Sequence, residues 1–209
     1  LTATHLYRDN ENAAKGVAPN APYTVTLTVS DDDGGSDQKT FTIKVRGQPL
    51  ILVNSESGPE MCDEPVNFAG VVDVSDLAKP RLMSLFPLPE PPPGLPYTDF
   101  CEKGGRFGPH NMNQNQHSPD VEKQGNLVYL TYFNAGLRIF DISKPTLPKE
   151  VGWFIPAEPT KRYGPNPTTK LVVQTEDVLV DRRGYIYITG KNEGLWILKY
   201  TGPKPTTTQ

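Results

Sequence analysis

Residues 126–143, NLVYLTYFNAGLRIFDIS, and 184–201, GYIYITGKNEGLWILKYT, are one pattern written twice at a constant offset of 58 positions. Tyr129, Thr131, Gly136, Leu137 and Ile139 fall without a gap on Tyr187, Thr189, Gly194, Leu195 and Ile197. A weaker copy stands upstream, where Val72-Asp73-Val74-Ser75 with Lys79-Pro80 mirrors Phe140-Asp141-Ile142-Ser143 with Leu147-Pro148. The unit reads strand, Asn/Gly turn, strand, Asp-x-Ser turn closed by proline, then another strand at 81–86 and 150–155. A strand-only unit recurring every 40–60 residues or so buries its apolar side chains only against its neighbours, which predicts propeller-type blades.

Composition agrees with many short strands. The 22 prolines and 18 glycines among 209 residues make about a fifth of the chain, against roughly 12% in average usage. No stretch carries apolar residues at i, i+3, i+4 and i+7 over three turns, so long amphipathic helices are not expected. The net charge of −3 and the lack of a basic, aromatic-interleaved stripe argue against nucleic acid as a partner. No apolar run approaches the roughly 20 residues of a membrane-spanning helix. The chain opens on Leu1 with no basic and apolar leader, which reads as a processed or partial product.

Upstream of the repeats the pattern is different. Tyr23–Ser30, YTVTLTVS, alternates strictly and is rich in β-branched residues, as expected of a half-buried strand. The acidic turn Asp31-Asp32-Asp33-Gly34-Gly35-Ser36-Asp37 follows, and a second strand is expected over 39–45. This hairpin, with His5-Leu6-Tyr7, resembles the C-terminal part of PKD (Ig-like) domains; the preceding strands of such a domain are missing. A hairpin alone leaves an apolar face and two edges unpaired, so it must dock on other protein.

The wording Leu137-Arg138-Ile139-Phe140-Asp141-Ile142-Ser143 with the following prolines resembles the LVIVD-repeat family, as do the loop Phe100 to Asn111 and the segment Glu176 to Asp181. The resemblance implies a β-propeller, but about three blades are too few to close. Further blades outside the chain, a second chain, or a foreign surface would complete it.

Cys62 and Cys101 lie in Pro/Gly-rich sequence. They are either a disulfide closing a loop of about 40 residues, worth about 3–4 kcal/mol, or two unrelated thiols. The Asp31–Asp37 turn offers hard oxygen ligands, Asp31 and Asp33 among them, for Ca²⁺, or is a solvated hairpin tip. His110 and His117 stand in the amide-rich loop GPHNMNQNQHSPD and could hold a transition metal, or fix the loop by hydrogen bonds. Ser75 and Ser143 belong to Asp-x-Ser turns, where the hydroxyl is expected to cap the turn. No Gly-x-Ser-x-Gly elbow is present. Trp153 and Tyr163 flank a proline-rich loop, and Pro91 and Pro92 belong to the stiff segment LPEPPPGLP; these four are interface candidates.

The sequence thus predicts an all-β chain. A partial PKD/Ig-like hairpin spans 1–46, about three blades of an incomplete propeller span 47–202, and a flexible tail spans 203–209. The expected function is a non-catalytic interaction or scaffolding module outside the cytoplasm, secreted, periplasmic or on the cell surface. It would be a subunit of a larger assembly, binding proteins or other copies of itself. The rival is a metal-dependent oxidase, with copper for example, or a hydrolase, built on His110 and His117. Carbohydrate adhesion is a third reading.

Overall fold

The structure is a computed structural model. It describes residues 49–56, 62, 68–113, 118–123, 125–165, 168, 170–192, 194–203 and 205, and the backbone course of 23–30 and 36–43. His5, Asp31, Asp33, His117 and most of the 203–209 tail lie outside these residues. Two compact units are distinguished, one of residues 1–51 and 72–82, the other of 52–71 and 83–209.

The described residues are all-β apart from one four-residue helix. In the first unit β1 (Tyr23–Ser30) and β2 (Ser36–Ile43) form an antiparallel hairpin in register from Tyr23↔Ile43 to Ser30↔Ser36. The second strand therefore starts at Ser36, earlier than its β-branched run suggests. Asp37 pairs with Val29 in the ladder instead of lying in the turn.

Three small sheets follow, each of three strands. The first is β3 (Leu50–Asn54), β4 (Ala69–Asp73) and β5 (Arg81–Leu85), in that order. The middle sheet is β6 (Leu127–Thr131), β7 (Leu137–Asp141) and β8 (Lys149–Phe154). The last has β10 (Tyr185–Gly190) at its centre, with β9 (Thr175–Val180) and β11 (Gly194–Lys199) on either side. The helix α1 (Phe100–Lys103) lies between β5 and β6, with Asp99 capping it by accepting from Glu102 N.

The written repeat is a structural one. Tyr129 pairs with Ile139 as Tyr187 pairs with Ile197, and Thr131 with Leu137 as Thr189 with Leu195. Period-2 alternation then gives each sheet two faces. In the middle sheet Val128, Leu130, Arg138 and Phe140 share one, here called the first face; Tyr129, Leu137 and Ile139 share the second. In the last sheet Ile186, Ile188, Trp196 and Leu198 form the first face, and Tyr187, Leu195 and Ile197 the second. The middle sheet's second face packs on the last sheet's first face: Tyr129, Leu137 and Ile139 form one buried cluster with Val180, Ile186 and Ile188. Phe154 and Trp196 meet at its border, ring centroids 5.4 Å apart. Each such aliphatic side chain is worth roughly 2 kcal/mol when removed from water, and neither sheet could bury them alone.

The turns are held by carboxylates. Asp73 Oδ1 accepts from Ser75 N at 2.8 Å and Asp141 Oδ1 from Ser143 N at 2.7 Å. The cap expected of the serine hydroxyls is thus made by the aspartates, each of which reaches the turn amide two residues on through its Oδ1. Between β9 and β10, Asp181 accepts from the backbone of Arg183 and Tyr185 at 2.8 and 3.1 Å, from the Arg183 guanidinium at 2.6 Å, and from the Tyr187 hydroxyl at 3.1 Å. Desolvation pushes this carboxyl up, but the Arg183 hydrogen bond, the two backbone amides and the tyrosine outweigh it and hold it at about 2.

At the equivalent hairpin turns Gly136 and Gly194 both have left-handed φ, +76° and +83°. A Cβ on Gly136 would lie 2.3 Å from the Phe154 carbonyl oxygen, whereas one on Gly194 meets nothing within 4 Å. Gly194→Ala should cost only backbone strain of about 1 kcal/mol, and Gly136→Ala about 3 kcal/mol or more, measured by urea unfolding. The acid limb of stability gives a second check. Unfolded, Asp181 takes up its proton near 3.8, and folded at about 2. Its contribution is present above that window and lost as pH falls through it. Asp181→Asn should flatten the drop of the urea midpoint between those pH values.

Candidate interaction surface

The loop from Tyr97 to Asn113 is tied to the middle sheet by buried cations. Lys103 is buried, and its Nζ donates to the Asn134 carbonyl at 2.7 Å and pairs with Glu158 Oε1 at 2.7 Å. Asn134 in turn donates through Nδ2 to the carbonyls of Phe100 and Gly104, at 2.7 and 2.8 Å. Arg138 is completely buried. It donates to Ala135 O at 2.9 Å, pairs with Glu150 Oε1 at 3.0 Å, and lies over the Phe100 ring at 4.9 Å. Burial lowers the Arg138 pKa, and burial outweighs the cation's pull to raise that of Glu150. The pair therefore holds together in surroundings that disfavour either charge alone.

His110 belongs to a segment that runs along β6, with His110 N donating to Thr131 O at 2.8 Å and Thr131 N to Asn111 O at 2.9 Å. The imidazole lies against Phe133, ring centroids 4.6 Å apart. Its Nδ1 is 2.8 Å from the Glu176 carbonyl oxygen; a carbonyl only accepts, so Nδ1 carries the proton. Nε2 faces Glu56 Oε1 at 3.5 Å and Glu176 Oε2 at 3.8 Å. Both carboxylates already have cations, Arg106 on Glu56 at 2.7 Å and Lys191 on Glu176 at 3.4 Å. The Arg106 hydrogen bond, helped by His110, holds the Glu56 carboxyl below its ordinary range despite its desolvation. Arg106 also lies 3.9 Å over the Phe133 ring. This knot joins 54–56, 106–110 and the start of β9, since Asn54 Nδ2 also donates to His110 O at 2.8 Å. Its geometry is that of a clamp in which each charge has a counter-charge. Among the described residues no group of three or more His, Cys, Asp or Glu side chains is arranged to hold a metal ion.

Cys62 and Cys101 are joined as a disulfide, so the crosslink ends in α1. Of the interface candidates, Trp153 is exposed on β8, and Tyr163 is exposed with its backbone N donating to Asn192 Oδ1 at 3.1 Å. Pro91 and Pro92 are half-buried, next to the Glu90 carbonyl that Arg138 reaches at 3.5 Å.

An exposed apolar surface of regular architecture lies elsewhere. On the last sheet, Leu195 and Ile197 are 59% and 58% exposed, while their repeat partners Leu137 and Ile139 are 1% and 4% exposed. Leu179, which pairs with Tyr187 on this second face, is exposed as well. Among the described strands β11 is also an edge, with a partner on one side only. The exposure of these positions was not foreseen from the sequence, although within it no further copy of the repeat follows the one at 184–201. Arg138 was missed too, although a charge in the place that Trp196 holds in the next copy marks it.

Three small antiparallel sheets, with Asp-capped turns between their strands and the middle and last packed face to face, make an all-β, propeller-like repeat fold. The LVIVD repeat matches residues 117–155, the stretch that contains β6, β7 and β8. No curated protein and no solved structure matches the chain.

Breaking the buried pair should cost more than replacing it. Glu150→Leu alone, which strands the Arg138 charge, should destabilise by about 3 kcal/mol. Arg138→Met with Glu150→Leu should recover most of that loss in urea unfolding.

Proposed function

We propose that this chain is a non-catalytic protein-interaction module working outside the cytoplasm, with the second face of its last sheet as the binding surface. The observation that carries the reading is the contrast between Leu137 and Ile139, buried by a neighbouring sheet, and Leu195 and Ile197, which carry the same side chains at the same repeat positions and face solvent. A row of branched aliphatic residues on a regular sheet is the type of surface that protein partners cover. The edge strand β11 adds unpaired backbone groups beside it.

Placement outside the cytoplasm rests on the Cys62–Cys101 disulfide, since such crosslinks persist in oxidising compartments. No helix among the described residues is long and apolar enough to cross a membrane. The hairpin β1–β2 is read as the end of a PKD-like domain, attached to LVIVD-type blades as part of a larger assembly.

A photoreactive amino acid at position 197, introduced in the native host and irradiated there, tests the reading. A discrete protein adduct is expected, absent when the same group is placed at Leu147, which is exposed in the turn between β7 and β8 and away from this face. Irradiation that yields no protein adduct at position 197 would sink it.

A further inference from the structure

The repeat fixes the chemistry of whatever covers the last sheet, because the chain itself contains one finished example of that interface. Tyr129, Leu137 and Ile139 on the middle sheet are covered by a first face made of Val180, Ile186 and Ile188. Tyr187, Leu195 and Ile197 are the same side chains, or the same kind, on the same scaffold. Their matching partner is another first face, a strand with branched aliphatic residues at alternate positions.

One strand of this chain has that pattern and leaves it open. The backbone bond from Val74 N to Pro49 O, 3.0 Å, corresponds to the one from Ile142 N to Asn126 O, 2.8 Å, which aligns β3 with β6. Ile51 and Val53 then fall on Val128 and Leu130, and so on Ile186 and Ile188. Val128 and Ile186 are 0% and 1% exposed, but Ile51 is 47% exposed. At the beginning of the repeat series the first face is thus open at Ile51 and half-buried at Val53, and at its end the second face is open at Leu195 and Ile197. The unmet groups at the two ends have the chemistry of the two sides of one existing interface.

We infer that the occupant of the last sheet's second face is a second copy of this chain, docking head to tail through the Ile51 and Val53 side of its β3. The inference rests on the reading of that face as the binding surface, and names its partner. Such a contact is heterologous, joining two different surfaces, and closes only when the rotation it generates brings the remaining ends together. Two copies bring six sheets of the repeat type, within the four to eight of closed propellers.

Sedimentation velocity of the purified, oxidised full chain, with one variant carrying Leu195→Glu and Ile197→Glu and another carrying Ile51→Glu, tests this. All three sites are solvent-exposed, and an unchanged urea midpoint verifies that each variant folds. The wild-type chain should associate by ~100 μM at the latest, and each variant alone should lose affinity by about 100-fold or more. An equimolar mixture of the two variants should form a 1:1 complex, since each retains the face the other lacks. A wild-type chain that stays monomeric over this range would overturn the inference, as would variants that associate normally. Variants that each fail alone and do not rescue one another would show a self-paired face and overturn it as well. The crosslink at position 197 separates this inference from the reading beneath it. An adduct of twice the chain's mass supports both, an adduct with a different protein removes the second copy and keeps the binding surface, and no adduct removes both.

Discussion

Sheet-on-sheet contact is the interaction on which the described fold depends. A three-stranded sheet of five- and six-residue strands has too little area to hold its own apolar side chains, and each strand here places large ones on both faces. Tyr129, Leu137 and Ile139 become a core only when Val180, Ile186 and Ile188 are laid over them. The same requirement, unmet at the last sheet, creates the surface on which the proposed function rests. Stability and recognition in this chain are thus one physical problem, solved inside the stack and left open at its end.

The loops are organised by a different principle. Between β5 and β6 there is little regular structure, and order comes from charged groups that reach in from both sides. Lys103 links Asn134 to Glu158, Arg138 links Ala135 to Glu150, and Arg106 bridges Glu56 and the Phe133 ring. Arg and Lys combine a long apolar stem with several donors, so one side chain can satisfy backbone carbonyls and a carboxylate at once. His110 belongs to the same scheme, held by the Glu176 carbonyl and pressed on Phe133.

Much of this fold was legible in the residues. Alternation in YIYIT and LVYLT gave the strands, the constant offset of 58 gave the repeated sheets, and Asp-x-Ser gave the turns. The β2 boundary was misjudged because Ser36, Asp37 and Gln38 have weak strand propensity, and only the Ser30↔Ser36 register, set by the partner strand, draws them into the ladder. The disulfide was one of two open readings until Cys62 and Cys101 were brought together in space. The exposed face of the last sheet was the least legible. Leu195 and Ile197 spell core in their own strand, and their exposure depends on what stands beside the sheet. Lys103 gave no signal at all, since a lysine ending a short helix is ordinarily solvated.

The position of β11 at the margin of the stack also has a dynamic consequence. In a linear array each unit is held by its nearest neighbours, so free energy of opening is distributed unevenly along the chain. The middle sheet cannot part from the last without uncovering the shared cluster of Tyr129, Ile139 and Ile188, whereas β11 can fray from β10 by losing one ladder and the packing of Trp196 and Leu198. Amide protons of β11 therefore exchange with solvent through a local opening, while those of β6 and β7 wait for a more extensive one. Whatever covers the last sheet changes this order, because a lid over Leu195 and Ile197 turns the margin into interior and makes binding legible as slowed exchange.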